Sequence, residues 1–170
     1  MLSIRRKKAS AEDSINKKYF EALGKVGAGL GVIVCLENTP FESFPLASTE
    51  SIVKLVKDIN HPNVGVCFDV GHAVILGERL GDSIRAVGGE LLKILHIHDN
   101  DGITDSHLPP YQGIADIADF AEGLYDIGFD GVISLECSPV SEEELSADIS
   151  EDEISAKELE LVKIAKLIAG

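Results

Sequence analysis

Two glutamates, an aspartate and a histidine stand at the ends of four short apolar runs. The runs are Gly31-Val-Ile-Val-Cys-Leu-Glu37, Val64-Gly-Val-Cys-Phe-Asp69, Leu92-Lys-Ile-Leu-His96 and Gly131-Val-Ile-Ser-Leu-Glu136. Three carboxylates and one imidazole form a donor set for a divalent cation such as Mn, Mg, Co or Zn. Gathered without a cation, three carboxylates repel one another, and at least one is driven to keep a proton. Singly, each reads equally well as a helix cap or a salt-bridge partner. As a set of four in matching places, Glu37, Asp69, His96 and Glu136 favour a metal centre.

Further donors follow the same strands. His72 lies just past the second strand, in Asp69-Val-Gly-His72, and can face the same pocket or serve as a surface histidine. Asp105 and His107, in Asp105-Ser-His107, offer two more ligands from a loop, although a D-x-H pair alone is weak. His98 shares a strand face with His96 and can bind substrate or orient a carboxylate. His61, at the opposite strand end, reads as structural or solvated. Asn38 and Asn100 either donate to a polar ligand or form turns.

Such a constellation needs elements that bring strand ends together. The pattern predicts a tail over residues 1–12, then a helix from Asp13 or Ser14 to about Val26 with Ile15, Tyr19, Leu23 and Val26 on one face. Gly27, Gly29 and Gly31 are expected to end it. Further helices are expected over about 48–59, 82–92, 114–127 and 155–168, with a long polar loop from Asp99 to Gly113. Strands alternating with helices imply parallel pairing with right-handed crossovers. The four terminal residues are spaced by 32, 27 and 40 positions, against roughly 31 per unit in an eight-fold β/α barrel of about 250 residues. The expected fold is α/β: a partial (β/α)8 TIM barrel of about four parallel strands. An open doubly wound sheet is the runner-up, weakened because no Gly-rich phosphate loop follows a strand. Period-two alternation puts Cys35 with Glu37, Cys67 with Asp69, and Ser134 with Glu136.

Composition narrows the partners. The chain has 170 residues, 45% of them apolar, enough for one domain with a core. Its net charge is -14. The first ten residues hold four of the 15 basic residues and no acid, so the rest carries 11 against 29, a net -18. A body this acidic weighs against nucleic acid as a partner. Three cysteines, an odd number with two inside strands, fit reduced thiols in a cytoplasmic protein. The longest apolar stretch, residues 26–36, falls short of the roughly 20 residues that span a membrane.

The residues Leu36-Glu37-Asn38, Phe68-Asp69-Val-Gly-His72, His96-Ile-His98-Asp99-Asn100, Asp105-Ser-His107-Leu-Pro-Pro and Leu135-Glu136 together resemble the xylose isomerase-like TIM barrel superfamily. That group includes sugar phosphate isomerases and epimerases and the endonuclease IV type of AP endonuclease. The resemblance implies that residues 13–170 form the C-terminal half of such a barrel. It implies metal ligation by Glu37, Asp69, His96 and Glu136, with Glu37 and Glu136 also moving protons. His72, Asp105 and His107 match positions that hold a further metal in the endonuclease branch; in epimerases the His72 position contacts substrate.

The implied activity is isomerisation or epimerisation of a sugar or sugar phosphate through an enediolate. The alternatives are an abasic-site hydrolase and a non-catalytic truncated barrel. The endonuclease branch takes two metal histidines from a half that residues 1–30 do not replace. The loop Pro109-Pro110-Tyr111-Gln112-Gly113 carries Tyr and Gln where family loops commonly have Gly and Glu. A half-barrel leaves two sheet edges open, so a homodimer or a separate N-terminal half is the expected partner.

Overall fold

The computed structural model describes residues 2–147 and 149–169. Its centre is a sheet of four parallel strands: β1 (Val34–Glu37), β2 (Val64–Asp69), β3 (Leu92–Ile97) and β4 (Val132–Leu135). Their spatial order follows the chain, each strand pairing with the next. A doubly wound sheet reverses direction at a switch point. This sheet does not, and it is an arc of a β/α barrel.

Side-chain alternation builds two layers. Leu36, Val66, Phe68, Leu95 and Ile97 point away from the arc and are buried. The helices α2 (Thr49–Ile59), α4 (Leu80–Val87) and α5 (Ile117–Ile127) supply the covering layer. The Phe68 ring, for example, stacks on Phe120 of α5 with centroids 6.5 Å apart. The other strand face carries Cys35, Glu37, Cys67, Asp69 and His96. Capping places the helices: Ser48 accepts from the Ser51 N–H at α2, and Asp116 accepts from the Asp119 N–H at α5.

Pairing between strands contains one irregularity. Val66 pairs with Leu92, but Cys67 pairs with Ile94, so Lys93 is an extra residue in β3. Were the pairing regular from Leu92 onward, with Lys93 opposite Cys67, Leu95 would stand beside Asp69 and His96 would face the helices. With the extra residue, Asp69 pairs with His96, and His96 with Ser134. The ligand positions also climb across the arc. Glu37 pairs with Cys67, one pleat below Asp69, and Glu136 lies one pleat above Ser134. This is the stagger of a barrel. It lets the long glutamates reach the shorter central pair from below and above.

Several boundaries differ from expectation. Helix α1 (Leu2–Leu30) begins before Asp13 and covers the stretch expected as a tail. Its opening residues include Arg, Lys, Ala and Glu, good helix formers, with no Pro or Gly before Gly24. It runs through Gly27 and Gly29 and stops at Gly31, where φ is 69°. Its contact face is also different: Ile15, Tyr19 and Val26 are exposed, while Gly24 and Gly27 are buried. A Cβ on Gly24 would sit 2.7 Å from Val64 Cγ2, and one on Gly27 would sit 2.6 Å from the Val32 carbonyl oxygen. Close approach of the backbone outweighed the apolar stripe.

The broken helical region expected over 82–92 is α4, which starts two residues earlier at Leu80 and stops at Val87 with Gly88 as its cap, and a short helix α3 (Val70–Ile75) that was not expected precedes it. Helix α5 starts at Ile117, not Ile114, because Asp116 caps it, and the Ile114 and Ala115 N–H groups before the cap are donated to the Asn100 carbonyl and the Asp99 carboxylate. The chain closes with α6 (Glu142–Ser146) and α7 (Glu151–Ala169). No described helix is long and apolar enough to cross a membrane.

Candidate metal centre

Glu37, Asp69, His96 and Glu136 come together at the carboxyl ends of the four strands. His96 Nδ1 lies 3.0 Å from Glu37 Oε1, 3.1 Å from Glu136 Oε1 and 4.0 Å from Asp69 Oδ2. One ligand atom from each of the four lies within 4.8 Å of every other. Donors about 2.1 Å from a shared cation stand about 3.0–4.2 Å apart, so these residues fit one.

Asp69 shows why the residue types matter. It is fully buried. Its Oδ1 accepts the His72 N–H at 2.8 Å and so caps α3. Its Oδ2 is buried without a hydrogen-bond partner and points toward the His96 ring. A buried orphan carboxylate oxygen is costly; a cation beside it removes the cost. Capping and ligation, which compete as readings of the sequence, are compatible here because each uses a different oxygen. Burial alone would raise the Asp69 pKa. The adjacent His98 ring and the His72 N–H outweigh burial and hold the carboxyl below its usual range.

Asn38 fixes this geometry. Its amide donates to the Asp69 carbonyl at 2.8 Å and accepts the Asp69 N–H at 2.7 Å, extending the β1–β2 ladder by a side chain. Asn100 donates to the Gly71 carbonyl at 2.9 Å. Both asparagines therefore hold backbone.

A second group lies above the first. His72 Nδ1 donates to the Asn38 carbonyl at 2.7 Å, and its Nε2 sits 3.2 Å from Asp105 Oδ2. His98 is fully buried, its Nε2 3.1 Å from Asp69 Oδ1 and 3.6 Å from Asp105 Oδ1, with no well-aligned acceptor at either ring nitrogen. Burial pushes its pKa down, but the two carboxylates prevail and the net direction is up. His107 stacks on His98 at 4.0 Å, donates from Nδ1 to the Glu136 carbonyl, and has Nε2 3.6 Å from Asp105 Oδ2. The His98 ring lies against Gly71, where a Cβ would stand 2.0 Å from His98 Cε1.

Asp99 and Cys67 emerge only from the coordinates. Buried Asp99 accepts from the N–H groups of Asn100, Gly113 and Ala115, and this shapes the loop that presents Asp105 and His107. An acid directly after a His-x-His strand end, at the start of a long loop, was its signal in the sequence. Cys67 Sγ belongs with Glu37 and His96 in a further group within 4.8 Å. Beside Glu37, a cavity of about 360 Å³ is lined by Ile15, Thr39, Phe44 and Leu46. A larger one of about 780 Å³ lies between α2 and α4, remote from these donors.

The family described as xylose isomerase-like TIM barrel matches residues 4–163. An uncharacterised protein of Methanocaldococcus jannaschii is 35% identical over 115 residues, 66% of this chain and 39% of its own length. A D-psicose 3-epimerase of Ruminiclostridium cellulolyticum is 30% identical over 115 residues, 67% of this chain and 37% of its own length. The solved structure of an IolI protein with a bound zinc atom superposes with a TM-score of 0.72 at 23% identity, over 88% of this chain and 56% of that one. At that identity the likeness is one of fold. The chain spans less than half the length of these two curated relatives.

Proposed function

The chain belongs to the xylose isomerase-like TIM barrel family, and on that footing we propose that it contributes the metal centre and proton-transfer groups of a sugar or sugar phosphate isomerase or epimerase. The observation that carries this reading is the convergence of Glu37, Asp69, His96 and Glu136 around the orphaned Asp69 Oδ2. The relative named as a D-psicose 3-epimerase supports the reaction class, and the zinc-bound IolI structure supports a cation. Mn, Mg, Co or Zn, when bound, would stabilise negative charge developing on the substrate's carbonyl oxygen.

The chain's own residues supply the rest. A C–H next to a carbonyl is a weak acid, and a carboxylate within reach can remove its proton. Glu37 and Glu136 come from opposite ends of the arc. One takes the proton to give an enediolate, and the other returns a proton to the opposite face. His72, Asp105 and His107 bind the substrate's hydroxyls, and buried His98 orients the Asp69 and Asp105 carboxylates behind them. Four further strands, from a second copy or a separate N-terminal half, close the ring beside β1 and β4.

The test is solvent deuterium incorporation. Mn-loaded protein in D2O, given D-fructose, D-psicose or a sugar phosphate, should place deuterium at the carbon beside the carbonyl, read by NMR. Glu136→Gln should abolish incorporation while retaining the fold. Metal-loaded protein that exchanges no substrate proton, alone or with a complementing half, overturns the proposal in favour of a non-catalytic barrel.

A second reading, hydrolysis at abasic DNA sites, draws on the outer group of three histidines around Asp105. The net charge of -14 opposes it. Metal-dependent cleavage of an abasic duplex would favour it.

A further inference from the structure

Cys67 is the residue of β2 that pairs with Glu37, and it points to the same side of the arc as Asp69, one pleat below it. It is 4% exposed. Its Sγ, a Glu37 oxygen and a His96 ring nitrogen lie within 4.8 Å of one another. Glu37 and His96 also belong to the four-residue centre, so two donor sets overlap. One offers three carboxylates and an imidazole. The other exchanges two carboxylates for a sulfur. Thiolates select soft cations, whereas carboxylates suit Mg and Mn.

We propose that the centre has a second binding mode, in which a thiophilic divalent cation is held by Glu37, Cys67 and His96, one layer deeper than the carboxylate mode. The two modes share Glu37 and His96 and therefore exclude each other. A soft cation would displace the hard one and withdraw Glu37 from proton transfer. Coordination forms a sulfur–metal bond as the Cys67 S–H proton leaves to water, with no change of oxidation state. The surrounding carboxylates oppose a free thiolate, but they attract the cation whose charge makes the thiolate tolerable. The inference rests on the proposed metal centre only through Glu37 and His96.

Cd²⁺ and Mn²⁺ distinguish the modes. The full chain is used with Cys35→Ser and Cys137→Ser, so that Cys67 is its one thiol. Cd²⁺ should produce a sulfur-to-metal charge-transfer band that saturates at one equivalent, and should release prebound Mn²⁺ one for one, read by electron paramagnetic resonance. Adding Cys67→Ser should remove the band and weaken Cd²⁺ by more than about tenfold, with Mn²⁺ affinity kept within about threefold. Cys67→Ala repeats the comparison without a hydroxyl, and the wild-type cysteine background covers a fold lost through the double change. Stoichiometric Cd²⁺ binding without the band, a band that survives Cys67→Ser, or Cd²⁺ and Mn²⁺ bound together overturns the inference while leaving the Mn²⁺ centre standing. Failure to bind either cation overturns both.

Discussion

At the scale of the residue, Asp69 joins structure to chemistry. Asn caps a helix about as well as Asp. Asp69→Asn should therefore keep the cap but lower the stability of the metal-free protein at neutral pH, since the fold favours the ionised carboxylate beside His98. The same change should abolish the metal-induced rise in melting temperature. Asp69→Ala should lose the metal and about 1 kcal/mol of cap as well. Differential scanning calorimetry with and without Mn²⁺ separates the two effects. His98 adds a pH dependence. Its folded pKa is raised above the ordinary 6.5, so its contribution is present in full below that value and is lost as pH rises through the folded pKa. Metal-free protein should melt higher at pH 6 than at pH 8, and His98→Gln should flatten the difference. Asn38→Ala leaves the Asp69 N–H and carbonyl without their partners and should cost about 2–4 kcal/mol in chemical denaturation.

At the scale of the element, the register of β3 governs the site. A one-residue slip turns every side chain of a strand to its other face. Inserting one residue between Leu95 and His96 should swing His96 toward the helices and reduce metal affinity by orders of magnitude, whereas deleting Lys93 makes β3 regular with His96 still opposite Asp69 and should keep the metal. Isothermal titration with Mn²⁺ on the two variants reads this directly. Face-sharing within a strand was legible: Glu37, Asp69 and Glu136 could be assigned to one side from local alternation. The bulge was not legible, because Leu92-Lys-Ile-Leu-His96 looks regular until its partner strand is known. The face of α1 misled for a related reason. Ile15, Tyr19 and Val26 form an apolar stripe at helical spacing, but Gly24 and Gly27 allow a closer approach.

At the scale of the whole molecule, β1 and β4 each have one unpaired side among the described residues. Val32, Ile33 and Val132 are exposed near those edges. A two-fold axis along the barrel would pair β4 of one copy with β1 of the next in parallel and close eight strands. Sedimentation should then give about twice 18.2 kDa; a monomer would count against self-pairing and leave the closing strands to another segment. Either route leaves the metal ligands within this chain. The amino-acid sequence by itself determined the ligand types, their places at strand ends and the β/α alternation, because these depend on local pattern and chain spacing. Tertiary structure alone decided that His96 stands beside Asp69, that one Asp69 oxygen caps a helix while the other lies unpartnered, and that Cys67 approaches the same two ligands. Those facts depend on register and packing between segments far apart in the chain, which no local pattern encodes.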